Sequence, residues 1–299
     1  MNLRLVKFSQ ISQNRPDPIK HRLSKVIGVL VVGSFLCDWG IGFIPFNRLP
    51  LPGYWIGIIY RACSGLMWLA AIWYLYPQAL FRFKVHFSKR LLIGLLVVLF
   101  FASGLVFHSD FAHSSIFDVV IGFLFSLGIG VDEDFFSRGL IFGAFESYGI
   151  QTAAIISSVH FGLLHFGNVI WGGQSLSFTS SQVVGAMAFG YLCVGLMVYT
   201  KTIWVPVLFH GLVDFPMQLE SAASFTKGVT GPADWGQTFS FAIPYAIAGW
   251  VLITLSTPGS FGRLTSWGER FSSQQVMFPP EKIITTTRIS ILRLSVVIL

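Results

Sequence analysis

Apolar runs long enough to cross a lipid bilayer recur along most of this chain and limit what it can fold into. A membrane-spanning helix needs about 20 mostly apolar residues, and about eight segments approach or exceed this length. They are residues 26–46, 55–75, 91–107, 116–145, 151–170, 182–200, 203–219 and 239–257. Only 11% of the residues are charged, whereas soluble domains carry roughly 25%. The sequence therefore predicts an all-α, multi-pass integral membrane protein, folded as a helical bundle in the bilayer.

The two flanks of the chain differ from this apolar part. Residues 1–25 form a basic leader, residues 26–257 the predicted bundle, and residues 258–299 a second basic tail. No small-residue cleavage site follows the first apolar run, so we interpret it as a retained span, with a transit peptide as the alternative for the leader. In a soluble protein the net charge of +7 would suggest a nucleic-acid partner. Here the basic residues lie between spans, and we expect no nucleic-acid partner.

Lysine and arginine alternate between the connections that join the spans. They concentrate in the leader, in residues 76–90, in the turn at residues 200–202 and in the tail, whereas residues 108–115 and 171–181 contain none. Cytoplasmic connections of membrane proteins carry the excess of these residues. Eight crossings with both termini in the cytoplasm satisfy the alternation.

Ionisable residues inside membrane spans are rare, and they usually face a bundle interior or a wet cavity. In this chain they concentrate in three spans: Glu133, Asp134 and Arg138 in the fourth, His160 and His165 in the fifth, and His210 and Asp214 in the seventh. The three cysteines lie in apolar runs without paired spacing, which argues against a disulfide framework and against a cysteine metal site.

Helix geometry separates these residues by face. Asp134 and Arg138 are four residues apart, so they share a face and are expected to form an internal ion pair. Glu133 lies about 100° around the helix from Asp134 and escapes that pairing. Asp132 remains, and we expect it at the wet edge of a cavity. His210 and Asp214 also share a face.

The depths of these groups agree across the spans. Glu133 lies roughly 25 Å from the start of its span, and His165, on the antiparallel fifth span, falls within a few ångströms of that depth. His210 and Asp214 fall nearby. A carboxylate and two histidines are suited to activating water, and they also match a zinc ligand set. The alternative is a set of ordinary polar contacts between helices.

Three short motifs resemble those of one family. Glu133–Gly139 (EDFFSRG), Phe161–His165 and His210–Asp214 resemble, in this order, the motifs of the intramembrane CAAX-protease and bacteriocin-processing family, which includes the type II prenyl-protein endopeptidases. The resemblance covers about residues 90–217. Asp134 replaces a second glutamate of the first motif, and Asp214 stands where the family often has asparagine.

The resemblance implies an all-α bundle with a cavity open to the cytoplasmic side, and an endopeptidase that cleaves near the membrane surface. Glu133 and His165 would activate water, and His210 and Asp214 would stabilise the oxyanion. The same four residues are the ligands if zinc is bound.

The implied substrate is a peptide or protein at the membrane. The substrate is prenylated if the host prenylates proteins. In a bacterium, the implied role is peptide maturation or bacteriocin self-immunity. A transporter or proton-relay channel and a non-catalytic scaffold on the same fold are the alternatives. The lack of internal repeats disfavours a transporter.

Overall fold

The fold is described from a computed structural model. It describes residues 28, 32–33, 50–107, 111, 114–170, 173–219 and 229–257. The predicted leader, all of the predicted tail and most of the predicted first span lie outside these residues. Within them, every regular element is helical, so the predicted all-α class is confirmed.

The helices follow one another along the described parts of the chain. They are α1 (Gly53–Leu75), a 3₁₀ segment (Pro77–Phe83), α2 (Lys89–Phe107), α3 (Ile116–Asp134), a π-helical segment (Phe135–Ile141), α4 (Phe142–Phe145), a second 3₁₀ segment (Glu146–Tyr148), α5 (Ile150–Leu164), α6 (Gly167–Ile170), α7 (Leu176–Thr200), α8 (Trp204–Leu219) and α9 (Trp235–Ser256).

Four helical segments of the described chain are long and apolar enough to cross a membrane. They are α1, α5 continued through α6 to Ile170, α7 and α9. This finding supports an integral membrane protein. The helices α2, α3 and α8 occupy the predicted third, fourth and seventh spans, while the count of eight spans stays a prediction.

A local sequence signal sets the start of α3, the helix that carries the first motif. The hydroxyl of Ser115 accepts a hydrogen bond from the backbone N–H of Asp118, and the Asp118 carboxylate accepts one from the backbone N–H of Ser115. This reciprocal capping box satisfies two donors that a helix start would otherwise leave unpaired.

The connections gather at two ends of the bundle. At the first, which we call the basic end (residues 76–90, 146–149 and 201–203), the backbone N–H of Ile203 donates to the carbonyl of Arg82 at 2.8 Å. The Arg82 side chain also pairs with Glu146. At the other, which we call the distal end (residues 50–53, 114–115, 173–175 and 229–234), the N–H of Ser175 donates to the carbonyl of Val229. The connection at residues 76–90 therefore contacts Ile203, directly after the turn at residues 200–202 that the charge pattern places on the same side.

Glycines let pairs of helices touch along their backbones. A Cβ added at Gly195 of α7 would lie 2.8 Å from the carbonyl oxygen of Gly249 of α9, and one at Gly130 of α3 would lie 2.6 Å from the carbonyl oxygen of Val207 of α8. Small residues at such crossings are the usual means of close helix packing in membranes. The α3–α8 contact is the one that positions the site.

A substitution at the α7–α9 crossing tests this packing. Gly249→Ala is expected to lower the melting temperature of the purified protein, because overpacking typically costs about 1–3 kcal/mol. Gly104→Ala on α2 is the matched control, since a Cβ there meets no atom within 4 Å. Equal melting temperatures for the two variants would contradict the close backbone contact.

Candidate active site

The four predicted catalytic residues line one cavity of about 820 Å³ between α1, α3, α5, α7 and α8. They are Glu133, His165, His210 and Asp214, and Arg61 of α1 joins them. The structure therefore brings together groups that are up to 81 residues apart in the sequence, from Glu133 to Asp214.

His210 is the hub of the charged groups. Its Nε2 lies 3.6 Å from Glu133 Oε2 and 3.5 Å from Asp214 Oδ2, and its Nδ1 lies 3.4 Å from Asp134 Oδ2. Both ring nitrogens thus face carboxylate oxygens, and only an imidazolium carries an N–H on both. This arrangement suits a positively charged histidine held between carboxylates.

Glu133 is the most open carboxylate of the group. Its side chain is 25% exposed, against 16% for Asp214 and 5% for His210. Arg61 Nη1 lies 3.9 Å from Glu133 Oε1. Because this distance and the 3.6 Å to His210 exceed ordinary hydrogen-bond lengths, the two cations hold the carboxylate in place without occupying its oxygens. Glu133 therefore remains able to accept a proton from water.

His165 follows directly after the last residue of α5. Its Nδ1 lies 3.0 Å from the carbonyl oxygen of Phe161. A carbonyl only accepts hydrogen bonds, so Nδ1 carries the proton in the neutral ring, and Nε2 keeps a lone pair for a ligand in the cavity. His160, five residues earlier, instead packs edge-on against Phe136 and is not among the residues that line the cavity.

Asp134 and Arg138 lie beneath the cavity. Arg138 Nε is 3.1 Å from Asp134 Oδ1, and both side chains are fully buried. The guanidinium also lies over the ring of Phe161, 4.2 Å from its centroid. Arg138 is in the π-helical segment, whose wider turns replace the usual i→i+4 backbone hydrogen bonds with i→i+5 bonds. In this segment the carbonyl of Ser137 also accepts a hydrogen bond from the Ser157 hydroxyl of α5 at 2.7 Å. The Asp134–Arg138 pair, through the contact of Arg138 with Phe161, thus links α3 to α5.

The expectation for Asp132 is wrong. Its carboxylate is buried and accepts hydrogen bonds from Arg61 Nη1 at 2.7 Å, from Trp68 Nε1 at 2.8 Å and from the Ser64 hydroxyl. The reason is that Asp132 faces α1, about 100° around α3 from Glu133. Arg61, Ser64 and Trp68 share one face of α1 by their spacing of three and four residues. That spacing is the signal by which sequence reasoning could have found the partner of Asp132.

Several residues that line the cavity lie at or beside the distal end of the bundle. They include Asn168, Gln174, Phe178, Gln218 and Val229. Much of the cavity therefore lies nearer the distal end than the basic end. The side of the membrane to which the cavity opens stays a prediction.

Zinc binding stays a prediction, and the side chains as arranged do not favour it. Within the described residues, no group of three or more His, Cys, Asp or Glu side chains could hold a metal ion. Nε2 of His210 faces two carboxylates, and a protonated nitrogen has no lone pair for a metal.

Comparison with known families gives one match. Residues 114–216 match the family model of the Rce1-like type II CAAX prenyl endopeptidases. We refer to this matched segment as the Rce1-like domain. It begins beside the start of α3 and ends within α8, so it contains Glu133, His165, His210 and Asp214 but not α1. A comparison with curated proteins gives no match. At family level, the Rce1-like domain supports a membrane endopeptidase that acts on a protein or peptide substrate at the membrane.

Arg61 lies outside the Rce1-like domain, and a substitution tests whether it belongs to the site. Arg61→Gln is expected to lower kcat/KM by about 10–100-fold, because Glu133 loses a charge that holds it in place. Arg61→Lys keeps the charge and should retain more activity than Arg61→Gln. Ser64→Ala is the control, because it removes one hydrogen-bond donor to Asp132 and leaves Arg61 in place. Cleavage assays on the three purified variants decide the point. Full activity of folded Arg61→Gln would show that Arg61 only anchors α1.

Proposed function

We propose that this chain is an intramembrane endopeptidase in which Glu133 is the general base for an attacking water. The observation that carries the proposal is the position of Glu133, an open carboxylate that faces a cavity between two cationic side chains, Arg61 and His210. The lone pair on Nε2 of His165 lies on the same cavity. Groups of this kind, convergent in a recess, are what water activation requires.

The reaction follows from the donors and acceptors of these side chains. A water molecule donates hydrogen bonds to Glu133 and to Nε2 of His165. Glu133 takes one proton as the water oxygen attacks the carbonyl carbon of the peptide bond. The carbonyl electron pair moves to the oxygen, and the N–H of His210 stabilises that oxyanion. Glu133 then returns the proton to the leaving amine nitrogen as the carbon–nitrogen bond breaks.

Asp214 acts through His210 in this scheme. Its carboxylate lies 3.5 Å from Nε2 of His210, on the following turn of α8. An ionised carboxylate cannot donate a hydrogen bond to an oxyanion. Asp214 therefore orients the imidazolium and balances its charge.

The closed base of the cavity favours hydrolysis over transport. Beneath the site, towards the basic end, Trp68, Phe135 and Phe136 are buried. The rings of Phe83 and Trp204 pack against Phe135, with centroid distances of 4.8 and 5.6 Å. A transporter or channel needs a path through this layer, whereas a hydrolase needs only one opening.

The central test is Glu133→Gln, which keeps the side-chain shape and removes the base. Turnover of a peptide substrate by the purified variant is expected to fall by about 10²–10⁴-fold, with an unchanged melting temperature. Glu146→Gln, the same substitution at the basic end, is the control and should leave turnover unchanged. Near-normal cleavage by Glu133→Gln would overturn the assignment, whereas loss of a transport flux without any cleaved product would favour a channel.

A second substitution separates the oxyanion mechanism from a metal mechanism. Asp214→Asn is expected to keep activity within about tenfold, or about 1.4 kcal/mol, because Glu133 and Asp134 still face His210. The bound metal content should not change. If Asp214 is a metal ligand, activity and bound metal will fall together. Elemental analysis and rates on the same samples measure both, and lost activity at constant metal content would contradict both mechanisms.

A further inference from the structure

A second cavity, which we call the outer groove, lies on the exposed side of the bundle between α2 and α9. It has a volume of about 310 Å³, and every side chain that lines it is apolar. The lining residues include Ile93, Val97 and Phe101 of α2 and Ala248, Val251 and Leu252 of α9. None of them takes part in the proposed hydrolysis, and both helices lie outside the Rce1-like domain.

The outer groove has the depth of one leaflet of a bilayer. At its inner end the rings of Phe101 and Tyr245 pack edge to face, with their centroids 5.1 Å apart. Eleven residues separate Phe101 from Arg90 on α2, and eleven separate Tyr245 from Ser256 on α9, which corresponds to roughly 16 Å on each helix. The hydrocarbon core of a bilayer is about 30 Å thick, so the groove runs from the bilayer surface to about its midplane. An acyl chain of a phospholipid covers the same depth.

Two cations flank the outer groove at the basic end. Ile93 is four residues after Lys89 and three after Arg90, so both cations lie one turn before it on its side of α2. Both are exposed, and the guanidinium carbon of Arg90 lies 5.5 Å from the centroid of the Tyr199 ring of α7. Within the part of the chain that the structure describes, neither cation lies in an ion pair. The charge at this end of the groove therefore calls for an anion.

From these observations we propose that the outer groove binds one anionic phospholipid. An acyl chain lies along α2 and α9, and the phosphate of the headgroup lies beside Lys89 and Arg90. Basic side chains attract anionic lipids at the bilayer surface, and the long side chains of lysine and arginine reach that surface from a helix end. The bound lipid fills the space between α2 and α9 and joins the two helices. The proposal requires neither the proposed function nor a particular orientation of the bundle in the membrane.

A lipid titration of the full-length protein tests the headgroup contacts. Protein stripped of lipid in a neutral detergent is titrated with dioleoylphosphatidylglycerol, and native mass spectrometry counts the lipids retained by each chain. One lipid per chain is expected, and dioleoylphosphatidylcholine should bind more weakly. The double variant Lys89→Gln/Arg90→Gln should bind phosphatidylglycerol about 30-fold more weakly, since each basic residue beside an anionic headgroup contributes about fivefold.

Lys84→Gln is the matched control, because Lys84 is also exposed at the basic end and lies outside α2. This variant should bind phosphatidylglycerol as the unchanged protein does. Equal affinities of the unchanged protein and the Lys89→Gln/Arg90→Gln variant, or equal affinities for the two lipids, overturn the proposal.

A second pair of variants tests the acyl chain with both cations in place. Ala248→Phe puts a ring into the outer groove and should weaken phosphatidylglycerol binding by about tenfold or more, which corresponds to about two buried methylene groups of the chain. Ile247→Phe is the control, because Ile247 is exposed on α9 and does not line the groove. Full binding by Ala248→Phe, or displacement of the lipid by inorganic phosphate, would show that only the headgroup charge is bound and would overturn the groove site. A lipid-free dimer that Ala248→Phe dissociates would also overturn it, because the groove would then be an interface between two copies of the chain.

Discussion

The contact of His210 with three carboxylates is the interaction on which the site depends. Glu133 and Asp134 come from α3 and reach His210 on α8 only because the two backbones touch. Gly130 permits this contact on α3. On α8, a Cβ at Gly211 would lie 3.1 Å from the backbone of Leu127. A methyl group at either glycine would move the helices apart, and the 3.4–3.6 Å distances around the imidazole would lengthen.

The apolar bundle tolerates these buried charges because each lies beside a group of opposite charge. Asp134 faces Arg138, Asp132 faces Arg61, and His210 stands between Glu133 and Asp214. A buried pair contributes little net stability, whereas removal of one partner leaves an expensive lone charge. The pairs thus act mainly by selecting the packing of the helices, because they favour the arrangement in which each carboxylate lies beside a cation. Glu133 is more exposed than the other three carboxylates, and a group that accepts a proton from water needs this exposure.

Helical periodicity explains which parts of this arrangement could be read from the sequence. The apolar runs predicted the all-α class, and the rise per residue placed Glu133, His165, His210 and Asp214 at matching depths. The sequence did not indicate which neighbour each face of α3 would meet. Asp132 was therefore expected near water, although α1 covers it with Arg61, Ser64 and Trp68. The π-helical turn at Arg138 depends on packing between helices, which no local pattern encodes.

The Rce1-like domain is not a complete site by itself. It covers residues 114–216, but the donors to the buried carboxylate of Asp132 all come from α1, and Arg61 also lies on the cavity. Without α1, Asp132 would lose its cation and its hydrogen-bond donors at once, and a buried charge without partners is strongly unfavourable. Glu133, the next residue, would lose the guanidinium that faces one of its oxygens. The part of the chain that the family match leaves out therefore fixes the orientation of the proposed base, and α1 is best regarded as the fifth wall of the active site.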